Sequence, residues 1–174
     1  MAAPRASTDF DEFYLATVNG VVRQLYALTG DMEDARDIAQ EAFAKAWDRW
    51  SHVSSYDAPE AWVRTVAHRI AISSWRRNRT KAAAYRRHGP STATAEPSVD
   101  AVLLAKALKT LPDNQRRAIV LHYLADLSVE QIAREIGAPA GSVKAWLSRG
   151  RVALASSLGS LEAPVASAAR KDAR

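Results

Sequence analysis

The sequence predicts an all-α protein made of two small helical domains joined by a flexible linker. Apolar residues recur at the three- and four-residue spacing of amphipathic helices along most of the 174-residue chain, and no alternating run of useful length predicts a strand. Between residues 82 and 98 this spacing fails, and Ala, Ser, Thr, Gly and Pro dominate. Because that composition is typical of linkers, we predict domains at 1–81 and 99–158 and a disordered tail at 159–174.

Three helices are predicted in the first domain. The first follows an apolar stripe over residues 10–28. The second begins after Asp31, a favourable N-cap, and its apolar stripe includes Trp47 and Trp50. The third begins at Pro59, after a polar and turn-like segment, since proline is favoured in a first helical turn.

Four helices are predicted in the second domain. Apolar spacing indicates helices over 102–111 and 113–124, separated by a proline. A shorter helix begins after the N-cap Ser128 and ends at Gly137. The last predicted helix covers 141–154, and beyond it the residues are mostly small.

Composition excludes several classes of function. The chain has no cysteine, which excludes disulfides, thiolate metal ligands and a cysteine nucleophile. No two of its four histidines have the spacing of ligands on one helix, so we expect no metal and no cofactor. No apolar run approaches the roughly 20 residues that cross a bilayer, and the beginning of the chain lacks an export signal. We therefore expect a soluble, cytoplasmic protein without membrane insertion.

The net charge of +5 is distributed unevenly. Residues 1–58 carry 10 acids and 5 bases, residues 59–90 carry 8 bases and 1 acid, and residues 91–174 carry 11 bases and 8 acids. An acidic front, a strongly basic middle and a mildly basic back indicate two kinds of partner, one of which is a polyanion.

Residues 128–149 have the pattern of a helix-turn-helix, in which a short helix, a glycine-containing turn and a longer helix follow one another. The longer helix, at 1.5 Å per residue, is about 21 Å long, enough to lie in a DNA major groove. Its outer face offers these candidates for contacts with phosphates or base edges: Ser142, Lys144, Ala145, Ser148, Arg149 and Arg151. Taken alone, the segment is also compatible with a helical hairpin that has a solvated basic face.

The third helix of the first domain is basic and carries aromatic residues. Cationic side chains can follow phosphates, while aromatic rings can stack on unpaired bases. The candidates for such contacts, including one tyrosine in the preceding loop, are Tyr56, Trp62, Arg64, His68, Arg69, Arg76 and Arg77. Trp62 also lies on the apolar stripe of its helix, so a place in the core is the alternative for it.

Three segments, in order along the chain, resemble bacterial sigma factors. Residues 34–47, which read Asp-Ala-Arg-Asp-Ile-Ala-Gln-Glu-Ala-Phe-Ala-Lys-Ala-Trp, resemble the helix that binds core RNA polymerase. Residues 62–77 resemble the helix that reads the −10 promoter element. Residues 111–116, followed by the helix-turn-helix, resemble the −35-reading domain. The chain has room for only the second and fourth sigma domains, as in the extracytoplasmic-function group.

The resemblance implies a sigma factor, without enzymatic activity of its own, that directs core RNA polymerase to promoters with −10 and −35 elements. It implies that three exposed residues face the clamp helices of the largest polymerase subunit: Asp37, Gln40 and Glu41. It also implies a contact between the second domain and the flap of the other large subunit, and an anti-sigma factor is a further partner common in the family.

Three positions depart from the family pattern. Arg69 stands where the family often has Asn, Ser73 where it often has Asp, and Trp146 where it often has Arg. Because an arginine cannot reproduce the paired donor and acceptor of an asparagine, the −10 sequence cannot be transferred from relatives. We interpret Trp146 as a packing residue.

Two other functions were weighed from the residues. An autonomous helix-turn-helix regulator would explain the second domain but gives no purpose to the motif at 34–47. An all-α enzyme is disfavoured because the sequence contains no nucleophile–base pair, no glycine-rich phosphate loop and no carboxylates at metal-ligand spacing.

Overall fold

The computed structural model describes the backbone of residues 3–81 and 97–168, and the side chains of residues 9–74 and 97–160. Within these ranges the chain forms eight α-helices and no strand, which confirms the predicted all-α class. Residues 82–96 of the predicted linker lie outside the described residues.

The chain divides into two units, Met1–Ala95 and Glu96–Arg174. The described helices of the first unit are α1 (Ala3–Thr29), α2 (Met32–Asp48), α3 (Trp50–Val53) and α4 (Pro59–Lys81). Those of the second unit are α5 (Val99–Lys109), α6 (Asp113–Tyr123), α7 (Val129–Ile136) and α8 (Ala140–Ala168).

The start of α2 follows the predicted capping. The side chain of Asp31 accepts hydrogen bonds from the backbone N–H groups of Glu33 and Asp34, at 2.9 and 3.0 Å. These bonds satisfy two of the donors that a helix start leaves open, and Gly30 supplies the positive φ, 67°, that the turn from α1 requires. The antiparallel α1–α2 pair built on this turn is the largest contact in the first unit.

The core of the first unit is rich in aromatic rings. Phe10, Phe13 and Trp50 form one cluster, with ring centroids 5.1 Å apart for Phe10–Trp50 and 5.0 Å apart for Phe13–Trp50. The predicted turn-like segment begins with a one-turn helix, α3, because Trp50 and Val53 are both buried there. The predicted burial of Trp47 is wrong: its side chain is 48% exposed, since Trp50 fills the core and Trp47 packs against Phe10 at its border, with ring centroids 5.0 Å apart.

The helix-turn-helix of the second unit is confirmed in its local detail. Ser128 and Gln131 form a capping box, in which each side chain bonds the backbone N–H of the other residue. Gly137 ends α7 in the left-handed conformation, with φ 74°. Ile132 of α7 and Val143 of α8 are fully buried, so the two helices share one apolar core.

Helix α8 passes close to α6. A Cβ atom added at Gly150 would lie 3.0 Å from Cγ1 of Ile119, which is closer than side chains normally approach. The absence of a side chain at position 150 therefore allows this crossing. α8 also continues to Ala168, past the predicted end at Leu154, because no turn follows and Leu158 is half-buried on the same side. Residues 159–168 of the predicted tail thus lie in α8.

Candidate functional site

The exposed side of α2 carries the three residues predicted to bind polymerase. Asp37, Gln40 and Glu41 are all exposed, whereas Ile38 and Ala42 between them are buried in the first unit. Glu41 forms an ion pair with Lys45 at 2.8 Å, and both side chains are about half exposed, so this pair lies in water rather than in the core. The helix thus presents a polar and mainly acidic face to solvent.

The predicted −10 surface is only partly exposed. Tyr56, in the loop before α4, is 47% exposed, and Arg69 on α4 is exposed as well. Trp62 is partly buried, in keeping with its place on the apolar stripe. Arg76 and Arg77 lie on the backbone of α4, but their side chains are outside the described residues.

Two of the predicted −10 residues point toward the protein. The Arg64 side chain is 9% exposed and forms an ion pair with Glu60 at 2.9 Å. His68, one turn further along α4, is 7% exposed and lies among the buried residues. Burial leaves both side chains little surface for a nucleic acid, so Tyr56 and Arg69 are the accessible described members of this set.

The predicted −35 residues lie together along α8. Lys144, Ser148, Arg149 and Arg151 are exposed, whereas Ser142 and Ala145 are partly exposed. The opposite side of the helix is buried through Val143, Leu147 and Gly150, which holds α8 in a fixed orientation on its own unit. The Arg149 Nε–H donates to the carbonyl of Ala145 at 3.3 Å, which aligns the guanidinium along the exposed side of the helix.

Sequence reasoning missed an apolar groove in the second unit. The groove has a volume of about 300 Å³ and lies between α5, α6 and the later part of α8. Leu104 and Leu108 form one wall, while Leu154 and Leu158 form another. Arg151 also lines it, so this arginine stands at the border between the predicted DNA face and the groove. The hydropathy spacing places Leu108 and Leu154 on apolar helix faces, but it does not show where three helices leave a gap.

Metal sites and membrane-spanning helices were searched for among the described residues. Over those residues no group of three or more His, Asp or Glu side chains has the arrangement of a metal site. No described helix is both long and apolar enough to cross a membrane.

Family models match both units of the chain. Residues 13–81 match Sigma-70 region 2, which corresponds to α1–α4 after its first turns. Residues 101–154 match Sigma-70, region 4, which contains the helix-turn-helix. The ECF RNA polymerase sigma factor SigL of Mycobacterium tuberculosis is 32% identical over 132 residues, 72% of this chain and 75% of SigL. The chain belongs to the ECF RNA polymerase sigma factors.

Two further relatives support the assignment of this sigma factor. ECF RNA polymerase sigma factor SigW of Bacillus subtilis is 30% identical over 149 residues, which cover 74% of this chain and 78% of SigW. RNA polymerase sigma-E factor of Streptomyces coelicolor is 28% identical over 143 residues, 81% of each protein.

A solved structure resembles the fold of this sigma factor. It is the sigma factor RpoE of Bartonella quintana, crystallised in complex with the anti-sigma factor NepR. The TM-score is 0.72 at 25% sequence identity, with 87% of this chain and 97% of RpoE covered. The likeness confirms the expectation of two helical sigma domains.

Proposed function

We propose that this sigma factor binds core RNA polymerase through the exposed face of α2 and directs the enzyme to promoters with two DNA-binding surfaces. The observation that carries the proposal is the presence, in one chain, of an acidic helix face in a region 2 unit and of a DNA-type helix-turn-helix in a region 4 unit. Polymerase supplies the catalysis, and the sigma factor itself performs no covalent chemistry. It acts in the cytoplasm, where it meets polymerase and DNA.

Helix α8 reads the −35 element in this proposal. Its exposed residues fit recognition in a major groove, because Arg149 can form paired hydrogen bonds with a guanine and Lys144 can neutralise a phosphate. The burial of Val143 and Leu147 behind that face supports this role, since it limits the orientations that α8 can adopt on the DNA.

The first unit holds the −10 element in its unpaired form. The exposed ring of Tyr56 offers a platform on which a base can stack, and Arg69 offers a cation for the backbone. A surface that binds single-stranded DNA more tightly than duplex shifts the equilibrium toward the open promoter. The ion pair of the buried Arg64 side chain with the exposed Glu60 supports the shape of α4 rather than a direct contact with DNA.

Core RNA polymerase touches the chain a second time at the apolar groove of the second unit. The groove suits the apolar side of a short helix. We assign as its occupant a helix from the flap of a large polymerase subunit. An anti-sigma factor that competes with polymerase is a further partner in this proposal, which the complex of the similar RpoE with NepR supports.

Run-off transcription tests the proposal. Purified core polymerase would transcribe a promoter library with and without the full-length chain. We expect initiation at a defined subset of promoters only when the chain is present. If adding it leaves start sites and yields unchanged, it does not act as a sigma factor. If instead the free chain binds a palindromic operator tightly without polymerase, the autonomous regulator is the better description.

A further inference from the structure

The indole of Trp47 is unusual in its surroundings. It is 48% exposed, whereas Trp50, three residues later, is 8% exposed in the core of the same unit. The ring of Trp47 packs against Phe10 in an edge-type arrangement, with ring centroids 5.0 Å apart and an interplanar angle of 63°. Phe10 is itself held against Trp50 at 5.1 Å. Trp47 is thus a large apolar side chain that faces solvent and packs on Phe10, which in turn packs on the core.

The position of Trp47 on α2 continues the polymerase-facing side. Asp37, Gln40, Ala44 and Trp47 are all exposed and follow one another at intervals of three, four and three residues. That spacing forms a single stripe along a helix, and it is the spacing with which one helix packs against another in a coiled coil. The stripe begins with a carboxylate, passes a small residue and ends with the indole.

The charge of α2 indicates the chemistry of what it binds. The helix contains five acidic and two basic residues, so its net charge is −3. The small side chain of Ala44 allows the backbone of a partner to approach, and tryptophan is enriched among the residues that dominate binding energies. The matching partner surface is a helix with basic residues opposite Asp37 and Glu41 and an apolar recess about three turns from the first and about two turns from the second.

We propose that Trp47 is the apolar anchor of the contact between α2 and a helix of core RNA polymerase. The inference rests on the proposed function and adds a residue that composition and charge did not single out. Phe10 already restrains the indole in the free protein, so little side-chain freedom is lost on binding. The acidic residues attract and orient the cationic partner helix, while the indole slows dissociation of the complex.

Two substitutions in the full-length chain test the anchor by the Kd for core polymerase. Trp47→Ala removes the apolar area, and we expect Kd to rise at least tenfold. Trp47→Glu removes the same area but adds a negative charge toward a cationic partner. If the indole is the anchor, Trp47→Glu also weakens binding at least tenfold; if charge alone governs this end of α2, it tightens binding. Because position 47 is half exposed, we expect both variants to keep the fold.

Leu15→Ala is the matched control, since Leu15 is an apolar residue of α1 that is 72% exposed. We expect its Kd to stay within twofold of the parent chain, and circular dichroism to report equal helicity for all variants. A Kd within twofold for Trp47→Ala or Trp47→Glu overturns the anchor. If Asp37→Arg combined with Gln40→Ala still loses binding in that case, the proposed function stands; if that double variant also binds normally, the α2 face itself is misassigned.

Discussion

The two units of this sigma factor present their predicted binding residues in different ways. In the second unit the predicted −35 residues follow one exposed side of α8, whose other side is locked by Val143 and Leu147. In the first unit the predicted residues are distributed over α2, the loop with Tyr56 and α4. One helix that enters a groove needs only one face, whereas a surface for both a protein and unpaired bases needs several elements assembled around a core.

The cores of the units differ accordingly. The first is built on aromatic rings that connect α1, α2 and α3, so its surfaces depend on a few large contacts. The second is mainly aliphatic, with Leu108, Ile132 and Val143 fully buried, and side chains cap the starts of α5 and α7. A substitution in the core of one unit should therefore impair the binding activities of that unit and leave those of the other unit unchanged.

Charge reversal on α2 should have the largest effect that is confined to one unit. Asp37→Arg combined with Gln40→Ala places a cation on a face that attracts a cationic partner, and losing such a pair costs several kcal/mol. We expect association with core polymerase to become undetectable in a pull-down, with helicity unchanged. Undiminished association would remove this face from the polymerase contact.

A cavity in one core should destabilise one unit. Ile132 is fully buried, so Ile132→Ala should cost about 2–5 kcal/mol of unfolding free energy. Hydrogen–deuterium exchange should accelerate in α5–α8 and stay unchanged in α1–α4. Val63→Ala, at a fully buried position of α4, is the matched change and should give the opposite distribution. Equal acceleration in both units for either variant would show that they unfold together.

Removing Arg149 should show whether this residue contacts a base edge or the phosphate backbone of DNA. We expect Arg149→Ala to cost about 1–3 kcal/mol on the preferred −35 sequence and to relax the preference at one base pair. Binding of the reconstituted holoenzyme to duplexes with single base-pair changes measures this. Arg69→Ala in the first unit should leave the −35 preference unchanged. A uniform weakening by Arg149→Ala on every duplex would instead identify a phosphate contact.

The smallest effects should come from the two helix starts. Ser128→Ala removes the capping box of α7, and Asp31→Ala removes the two side-chain bonds at the start of α2. Each should cost about 1 kcal/mol, and each should speed amide exchange only in the first turns of its own helix. A thermal unfolding curve that does not move for Ser128→Ala would show that tertiary packing alone fixes α7.

Local features were the most predictable part of the fold. Capping at Asp31 and Ser128 and the end of α7 at Gly137 depend on residues close in sequence, and all appear as predicted. The fold class followed from periodicity for the same reason. The end of α8 was predicted too early because Leu158 gains its burial from other helices.

The sequence could not predict which side chains are buried by elements distant along the chain. Periodicity shows which residues share a face of a helix, but it does not show which helix covers that face. His68 was therefore grouped with Arg69 although it is buried, and Trp47 was assigned to the core although it faces solvent. The groove between α5, α6 and α8 was missed because its walls come from three separate segments.

Helix α8 connects two surfaces of the second unit. Arg149 lies on its exposed side, and two residues later Arg151 already lines the groove with Leu154. Because the helix is a rigid rod about 10 Å across, neither surface can turn without the other. If a polymerase helix occupies the groove and Arg149 reads DNA, as proposed, the occupant of the groove sets the angle at which the arginine enters the DNA, and a mismatched base pair strains the polymerase contact through the same helix.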